Sequence, residues 1–190
     1  MHKNESAKLE KTLSQSDLHL LWESTYYADR NVHLYDMAFK KILYFFRKKK
    51  IDLVLDAGCG NSIHSLKFAA NGYRVKGIDF SEEALKLGRA NIISHNLQTK
   101  IELQKEDILS LSFEDNVFDA VFCWGVLMHI SEIEKALSEL TKKIKKDGLL
   151  ILAEGNMKSL QTRLAKSWKK KHSNDIISLQ DNGLCFWSET

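Results

Sequence analysis

Proline is absent from the chain, so its turns must be made by glycine, asparagine, aspartate or serine. Only three cysteines occur, Cys59, Cys123 and Cys185. They are far apart, odd in number and without metal-ligand spacing, which points to free thiols in a reducing cytoplasm and away from a disulfide framework or a metal site. No apolar run approaches the roughly 20 residues that spanning a bilayer requires. The opening MHKNESAKLEKTLSQSD has no apolar core of a secretion signal. These absences predict a cytoplasmic protein with no membrane partner. A dominant charge is missing too, since 28 basic and 25 acidic residues leave only +3. That is too little to demand a nucleic-acid partner.

What is present is ordinary for one folded domain: 190 residues, 44% of them hydrophobic and 28% charged. Lysines cluster in RKKK (47–50), KKIKK (142–146) and KKK (169–171). The first two fall where helices should end, and cations there offset the negative end of the helix dipole. Residues 18–50 read as helical, with Tyr35, Ala38, Phe39, Ile42 and Phe46 forming one stripe. Strands are expected at 51–56, 73–79, 100–107, 117–126 and 149–154. Helices are expected between them: one stopped by Asn71-Gly72, one opened by Ser81 with Glu82 and Glu83, and one opened by a Ser131-x-x-Glu134 capping box. The last of these buries Ile133, Leu137, Leu140 and Ile144 and ends near Asp147-Gly148. Strand–helix alternation means parallel strands with right-handed crossovers, hence an open α/β sheet with helices on both faces. Ligands of such sheets sit beyond the carboxyl ends of the strands.

Those strand ends carry the chemistry. VLDAGCGNSIHSL (54–66) drives a strand into a glycine-rich turn and on into a helix, but Ile63 stands where a dinucleotide fingerprint needs its third glycine. Strand two ends at Asp79, 19 residues after Gly60, placed to accept from both hydroxyls of a ribose. Strand three ends at Glu106-Asp107, strand four at Cys123-Trp124-Gly125 with His129 beyond, and strand five at Glu154. A second carboxylate at strand three suits the amino group of an adenine. A turn with no basic residue, headed by Asp56, suits a ligand bringing an ammonium group and suits a pyrophosphate poorly.

Together these segments resemble the class I S-adenosylmethionine-dependent methyltransferases, in particular their type 11-like, small-molecule branch. VLDAGCGNS looks like the family's first motif and GIDFSEEAL (77–85) like its second. KEDILSLSFEDNVFDAVFCWGVLMHI (105–130) is similar to the third and fourth, and IKKDGLLILAE (144–154) to the segment around strand five. The resemblance covers about residues 51–155, in order. It implies a Rossmann-like fold and S-adenosyl-L-methionine as cofactor, with S-adenosyl-L-homocysteine as product. Asp56, Gly58, Cys59 and Gly60 would surround the methionine part, Asp56 engaging its amino group directly or through water. Asp79 would hold the ribose diol, Phe80 would lie against the adenine, Asp107 would accept from its amino group, and the backbone at Ile108 would meet the ring edge. Cys123 and Trp124 would border the sulfonium and the substrate mouth. Ser62 departs from the family's usual glycine and is expected to cap the following helix.

His129 is the candidate general base, since histidine titrates near neutral pH. Packing or capping of the next helix is its ordinary alternative. Tyr26, Trp124, His129 and Glu154 are the candidate substrate-pocket residues, Tyr26 belonging to an N-terminal helical lid over residues 1–50. Residues 51–155 form the cofactor-binding core. Residues 156–190 are expected to add a helix (157–171) and a hairpin (176–187), a short C-terminal region for this family. A small-molecule methyl acceptor is the leading expectation. An RNA or protein acceptor bound by the lysine runs, or a non-catalytic binding module, are the alternatives, and the lysine hypothesis requires those runs to share the face of the cofactor mouth. A nicotinamide oxidoreductase is disfavoured by Ile63 and the paired acids.

Overall fold

A computed structural model describes residues 29–154. Tyr26 and most of the expected lid, Cys185, the lysines at 169–171 and the expected C-terminal helix and hairpin lie outside the described residues. The elements run α1 (Asp29–Lys49), β1 (Leu53–Ala57), α2 (Ile63–Ala70), β2 (Arg74–Asp79), α3 (Glu82–Ser94), β3 (Ile101–Lys105), β4 (Phe118–Trp124), a 3₁₀ turn (Leu127–His129), α4 (Ile133–Lys142) and β5 (Ile144–Ala153). The strands lie in the order β3-β2-β1-β4-β5, and every neighbouring pair is parallel. This is the open α/β sheet that the alternation predicts. The chain reverses direction across the sheet between β1 and β4, where such folds open a ligand crevice.

Side-chain parity divides the core into two layers. Val54, Val75, Ile101, Ala120 and Phe122 meet Phe39, Leu43 and Phe46 of α1, Phe68 of α2 and Ile92 of α3. Leu55, Ala57, Ile78, Val121 and Cys123 meet Ala136 and Leu140 of α4 together with Ile108 and Leu111. Phe46, Phe68, Phe118 and Phe122 are fully buried. Truncating any one of them to alanine should cost about 3–5 kcal/mol. Asp119 closes the amino end of the sheet, accepting the N–H groups of Asp52 (3.0 Å) and Leu53 (2.8 Å).

Two expectations fail locally. The capping box at Ser131 and Glu134 does not form, because α4 begins at Ile133 with Glu132 at the N-cap and no side-chain cap bond. Ile130 leaves the 3₁₀ turn in an extended conformation, which holds Ser131 outside the helix. The helical spacing through Ile144 also outruns the helix itself. Ile144 pairs with Phe118 and Leu149 with Ala120, so β5 advances five residues while β4 advances two. Residues 145–148 bulge out to absorb the difference, with Asp147 at φ 64°. Gly148 lies so close to the strand that a Cβ would stand 2.7 Å from the Asp119 carbonyl oxygen. Ile144 still reaches the core, but from a strand.

Candidate functional site

The turn after β1 spends four of its N–H donors on the protein. Gly58 and Cys59 both donate to the Ile78 carbonyl (2.8 Å each), Gly60 donates to Asp79 Oδ2 (2.9 Å), and Ser62 donates to the Cys59 carbonyl (2.8 Å). A pyrophosphate cradle needs such groups free to point at the ligand. Gly58 and Gly60 have φ of 76° and 54°, but their surroundings differ. A Cβ on Gly58 would stand 2.3 Å from Val126 Cγ2, whereas one on Gly60 would meet nothing within 4 Å. Ser62 occupies the left-handed region too, at φ 70° and ψ 22°, and makes no side-chain cap bond. The expected cap is therefore absent: Ser62 takes the backbone conformation of a glycine, and Gly88 of α3 leaves room for its hydroxyl, 2.5 Å from where a Gly88 Cβ would be.

Carboxylates ring this turn. Asp56 is buried beneath it, 1% exposed, and accepts the Ser65 hydroxyl at 2.6 Å. Burial pushes its carboxyl up to about 7 against the pull of Ser65, and the Asp79 charge adds to the push. A group so enclosed acts on a ligand through its field. Asp79 bridges two loops, taking the N–H of Gly60 on Oδ2 and that of Ser81 (2.8 Å) on Oδ1. At the end of β3 the neighbouring acids separate in role. Glu106 braces its own loop through Ser112 Oγ and Gln104 Nε2 (2.5 Å each), while Asp107 is exposed and takes only the Leu109 N–H at 2.9 Å. Glu154 accepts the N–H groups of Val126 (3.2 Å), Leu127 (2.8 Å) and Met128 (3.2 Å). It thus shapes the mouth through the main chain.

The thiols face inward. Cys123 is wholly buried in the second core layer, so its backbone alone reaches the strand end, in contrast to the expected border on the sulfonium. Burial raises both thiols, Cys59 with help from the Asp56 and Asp79 charges and Cys123 with help from Glu154, which leaves them protonated small hydrophobes. Ile108 buries its side chain in the same layer. Phe80 is half-buried, with the Lys105 ammonium 5.6 Å from its ring centroid. Trp124 lies within an aromatic assembly, its ring centroid 5.5 Å from Tyr35, 5.3 Å from His64 and 5.7 Å from Phe122. Burial, with the Lys67 charge, holds His64 down at about 3, a neutral packing group. His129 ends the 3₁₀ turn, where its N–H bonds the Val126 carbonyl at 2.9 Å.

Val126, Ser65 and Lys105 join the site without having been read from the sequence, whereas Tyr35 was expected only as part of the helical stripe before β1. Only Gly88 left a signal for the turn's packing, as a glycine inside a helix. Among the described residues no group of three or more His, Cys, Asp or Glu side chains could hold a metal ion. Likewise, no described helix is long and apolar enough to cross a membrane.

Comparison with known proteins now bears on this geometry. Residues 55–152 match the family model described as a methyltransferase domain, type 11. A demethylmenaquinone methyltransferase from Desulfitobacterium hafniense is 31% identical over 118 residues, covering 56% of this chain and 46% of that protein. The PH0226 protein from Pyrococcus horikoshii superposes with a TM-score of 0.64 at 25% identity, over 77% of this chain and 64% of the other. An S-adenosylmethionine-dependent methyltransferase from Methanosarcina mazei does so at 0.50 and 32% identity, over 54% and 51%. The chain thus spans less than half the length of the curated relative from Desulfitobacterium. The family match takes in more than half of the chain, including the glycine turn and the ends of β2, β3 and β4. The chain belongs to the methyltransferase-domain family, and S-adenosylmethionine is the cofactor that family implies.

Proposed function

We propose that the protein transfers the methyl group of S-adenosylmethionine to a small molecule, with a quinone-type ring as the favoured acceptor class. The observation that carries this reading is the pairing of two features at the carboxyl edge. The glycine turn has the N–H donors of Gly58, Cys59, Gly60 and Ser62 engaged within the protein, and Asp56, Asp107 and Glu154 stand around it in no ion pair with a described residue. Such an edge suits a cationic ligand rich in hydroxyl and amino donors.

The residues present fit that cofactor. Asp79 is preorganised by two N–H groups and would receive the ribose hydroxyls. Asp107, exposed with one bond of its own, would receive the adenine amino group beside the Ile108 backbone and the Phe80 ring. Gly58, Cys59 and Gly60 would border the methionine part, with Gly60 leaving the open space, and Asp56 would draw the ammonium from beneath. The bound cofactor supplies an already activated methyl group, so the protein's task is alignment, which is worth roughly 7–11 kcal/mol in favourable systems. Tyr35 and Trp124 would wall the acceptor side with neutral aromatic surface, and a proton lost from the acceptor falls to His129 in this reading. The quinone class comes from the name of the Desulfitobacterium relative and is consistent with that aromatic wall.

The two lysine runs among the described residues support a small acceptor over RNA or protein. Lys48, Lys49 and Lys50 precede β1, and Lys142 to Lys146 span the start of β5, joined by the Lys49 ammonium to the Asp147 carbonyl at 3.4 Å. Both runs sit at the amino ends of the strands, opposite the glycine turn.

Two measurements test the proposal. Asp79→Ala should weaken S-adenosylhomocysteine binding about 100-fold in calorimetry, the loss of two charge-assisted hydrogen bonds. Unchanged affinity would remove the cofactor assignment. Labelled methyl groups should pass from cofactor into a quinone-containing metabolite pool, and label found only in RNA or protein, or nowhere, would overturn the acceptor class.

A further inference from the structure

The geometry points to Glu154 as a positioning residue that fixes the turn beyond β4 and so sets how closely Val126 seats against Gly58. This rests on the methyltransferase reading, in which Gly58 borders the cofactor. The carboxylate stands at the end of β5 and spans to the neighbouring strand end. Its Oε1 takes the Val126 and Leu127 N–H groups at 3.2 and 2.8 Å, and its Oε2 takes that of Met128 at 3.2 Å. These donors open the 3₁₀ turn, where no turn carbonyl precedes them to accept. A carboxylate borrowed from another strand therefore does the work of an N-cap, and its charge faces the positive end of the turn.

The consequence passes to the cofactor side through one side chain. Gly125 turns the chain with φ 68°, and its N–H ties back to the Ala153 carbonyl at 2.7 Å. Leu127 is anchored in the core. Val126, between these fixed points, lays its methyl groups on Gly58, leaving no room for a Cβ there. Glutamate is specified chemically, because all three partners are donors. Glutamine could keep the two bonds at Oε1 but would turn its own amide donor toward Met128.

A double-mutant cycle on the full chain separates this role from general support. S-adenosylhomocysteine is titrated into the wild type, Glu154→Ala, Glu154→Gln, Val126→Ala and the Glu154→Ala/Val126→Ala pair, with amide exchange followed at residues 126–128. The expectation is about tenfold weaker binding in Glu154→Ala, a smaller loss in Glu154→Gln, and a double variant no weaker than Glu154→Ala alone. The three amides should exchange at least about tenfold faster in Glu154→Ala but not in Val126→Ala. Additive losses, or wild-type affinity in Glu154→Ala, would overturn the positioning role. Should Glu154→Ala not fold, the glutamine variant carries the same cycle. A wild type that binds no S-adenosylhomocysteine fells the methyltransferase reading and this inference with it, whereas binding by the wild type and an unmoved variant fells the inference alone.

Discussion

The two ends of the sheet use acidic residues in opposite ways. At the amino end carboxylates are matched with cations: Asp52 with Arg74 (2.6 Å), Asp115 with Lys143 (2.7 Å), Asp119 with Lys145 (2.8 Å), and Glu102 with Lys76. At the carboxyl end Asp56, Glu106, Asp107 and Glu154 are held by hydroxyl, amide and main-chain N–H donors. Pairing cancels charge, while neutral donors only steady it. One end is therefore finished as structure, and at the other Asp107 and Glu154, in no ion pair with a described residue, leave negative charge at the crevice, where an enzyme can use it.

The sharpest test of that contrast applies one substitution to both ends. Asp56 is raised to about 7 from 3.8, so between those values the folded chain holds a proton that the unfolded chain has released. Its contribution makes the fold less stable as pH climbs from about 4 to 7, and flat beyond. Asp56→Asn should remove that slope and raise stability at pH 8, by about 1–3 kcal/mol, the cost of an uncompensated buried polar group. Asp119 runs the other way. Burial raises its carboxyl, but the Leu53 N–H and the Lys145 ammonium outweigh this and hold it below its ordinary value. Its contribution is present above pH 4 and lost in acid, so Asp119→Asn should cost about 2 kcal/mol at neutral pH. Urea denaturation across pH 3–9 reads both, and matching signs would break the comparison.

The carboxyl-end half of this contrast was legible in the sequence, while the ion pairs at the amino end were not, since they join residues far apart in the chain. Strand order of appearance, the glycine turn and the terminal acids follow from alternation and from residue type. Parity could also have turned Cys123 inward, since it shares a face with Val121 while Trp124 shares one with Phe122. Periodicity failed at Ile144, because an apolar residue satisfies the core equally from a helix or from a bulged strand. The tasks of Asp56 and Glu154 were hidden for another reason. Whether a carboxylate is enclosed, or which N–H groups it meets 26–28 residues away, depends on tertiary packing that local pattern does not encode.

Within the carboxyl end, the two glycines of the turn offer a smaller comparison. Gly58→Ala places a methyl group 2.3 Å from Val126 and adds left-handed strain. It should cost about 3 kcal/mol in urea denaturation, with part regained on adding Val126→Ala. Gly60→Ala carries the backbone strain alone, about 1 kcal/mol. Its methyl group enters open space, so, with Gly60 beside the methionine part as proposed above, it should weaken S-adenosylhomocysteine binding more than it weakens the fold. Equal stability losses at the two sites would show that Val126 yields easily.

The least effect is expected at Ser62, where backbone strain is stored without a side-chain cap bond in return. Its φ of 70° costs a non-glycine residue about 1–2 kcal/mol. Glycine relieves that strain but also loosens the unfolded chain, which takes back part of the gain. Ser62→Gly should therefore stabilise the protein by about 1 kcal/mol, raising the urea midpoint with an unchanged slope. S-adenosylhomocysteine affinity should stay the same, because the Cys59 carbonyl still receives the N–H of residue 62. Serine-to-alanine at the same place keeps the strain and separates the hydroxyl from the backbone. If alanine alone destabilises, the hydroxyl packed beside Gly88 contributes more than its missing cap bond suggests, and the serine is part of how α3 is seated against the turn.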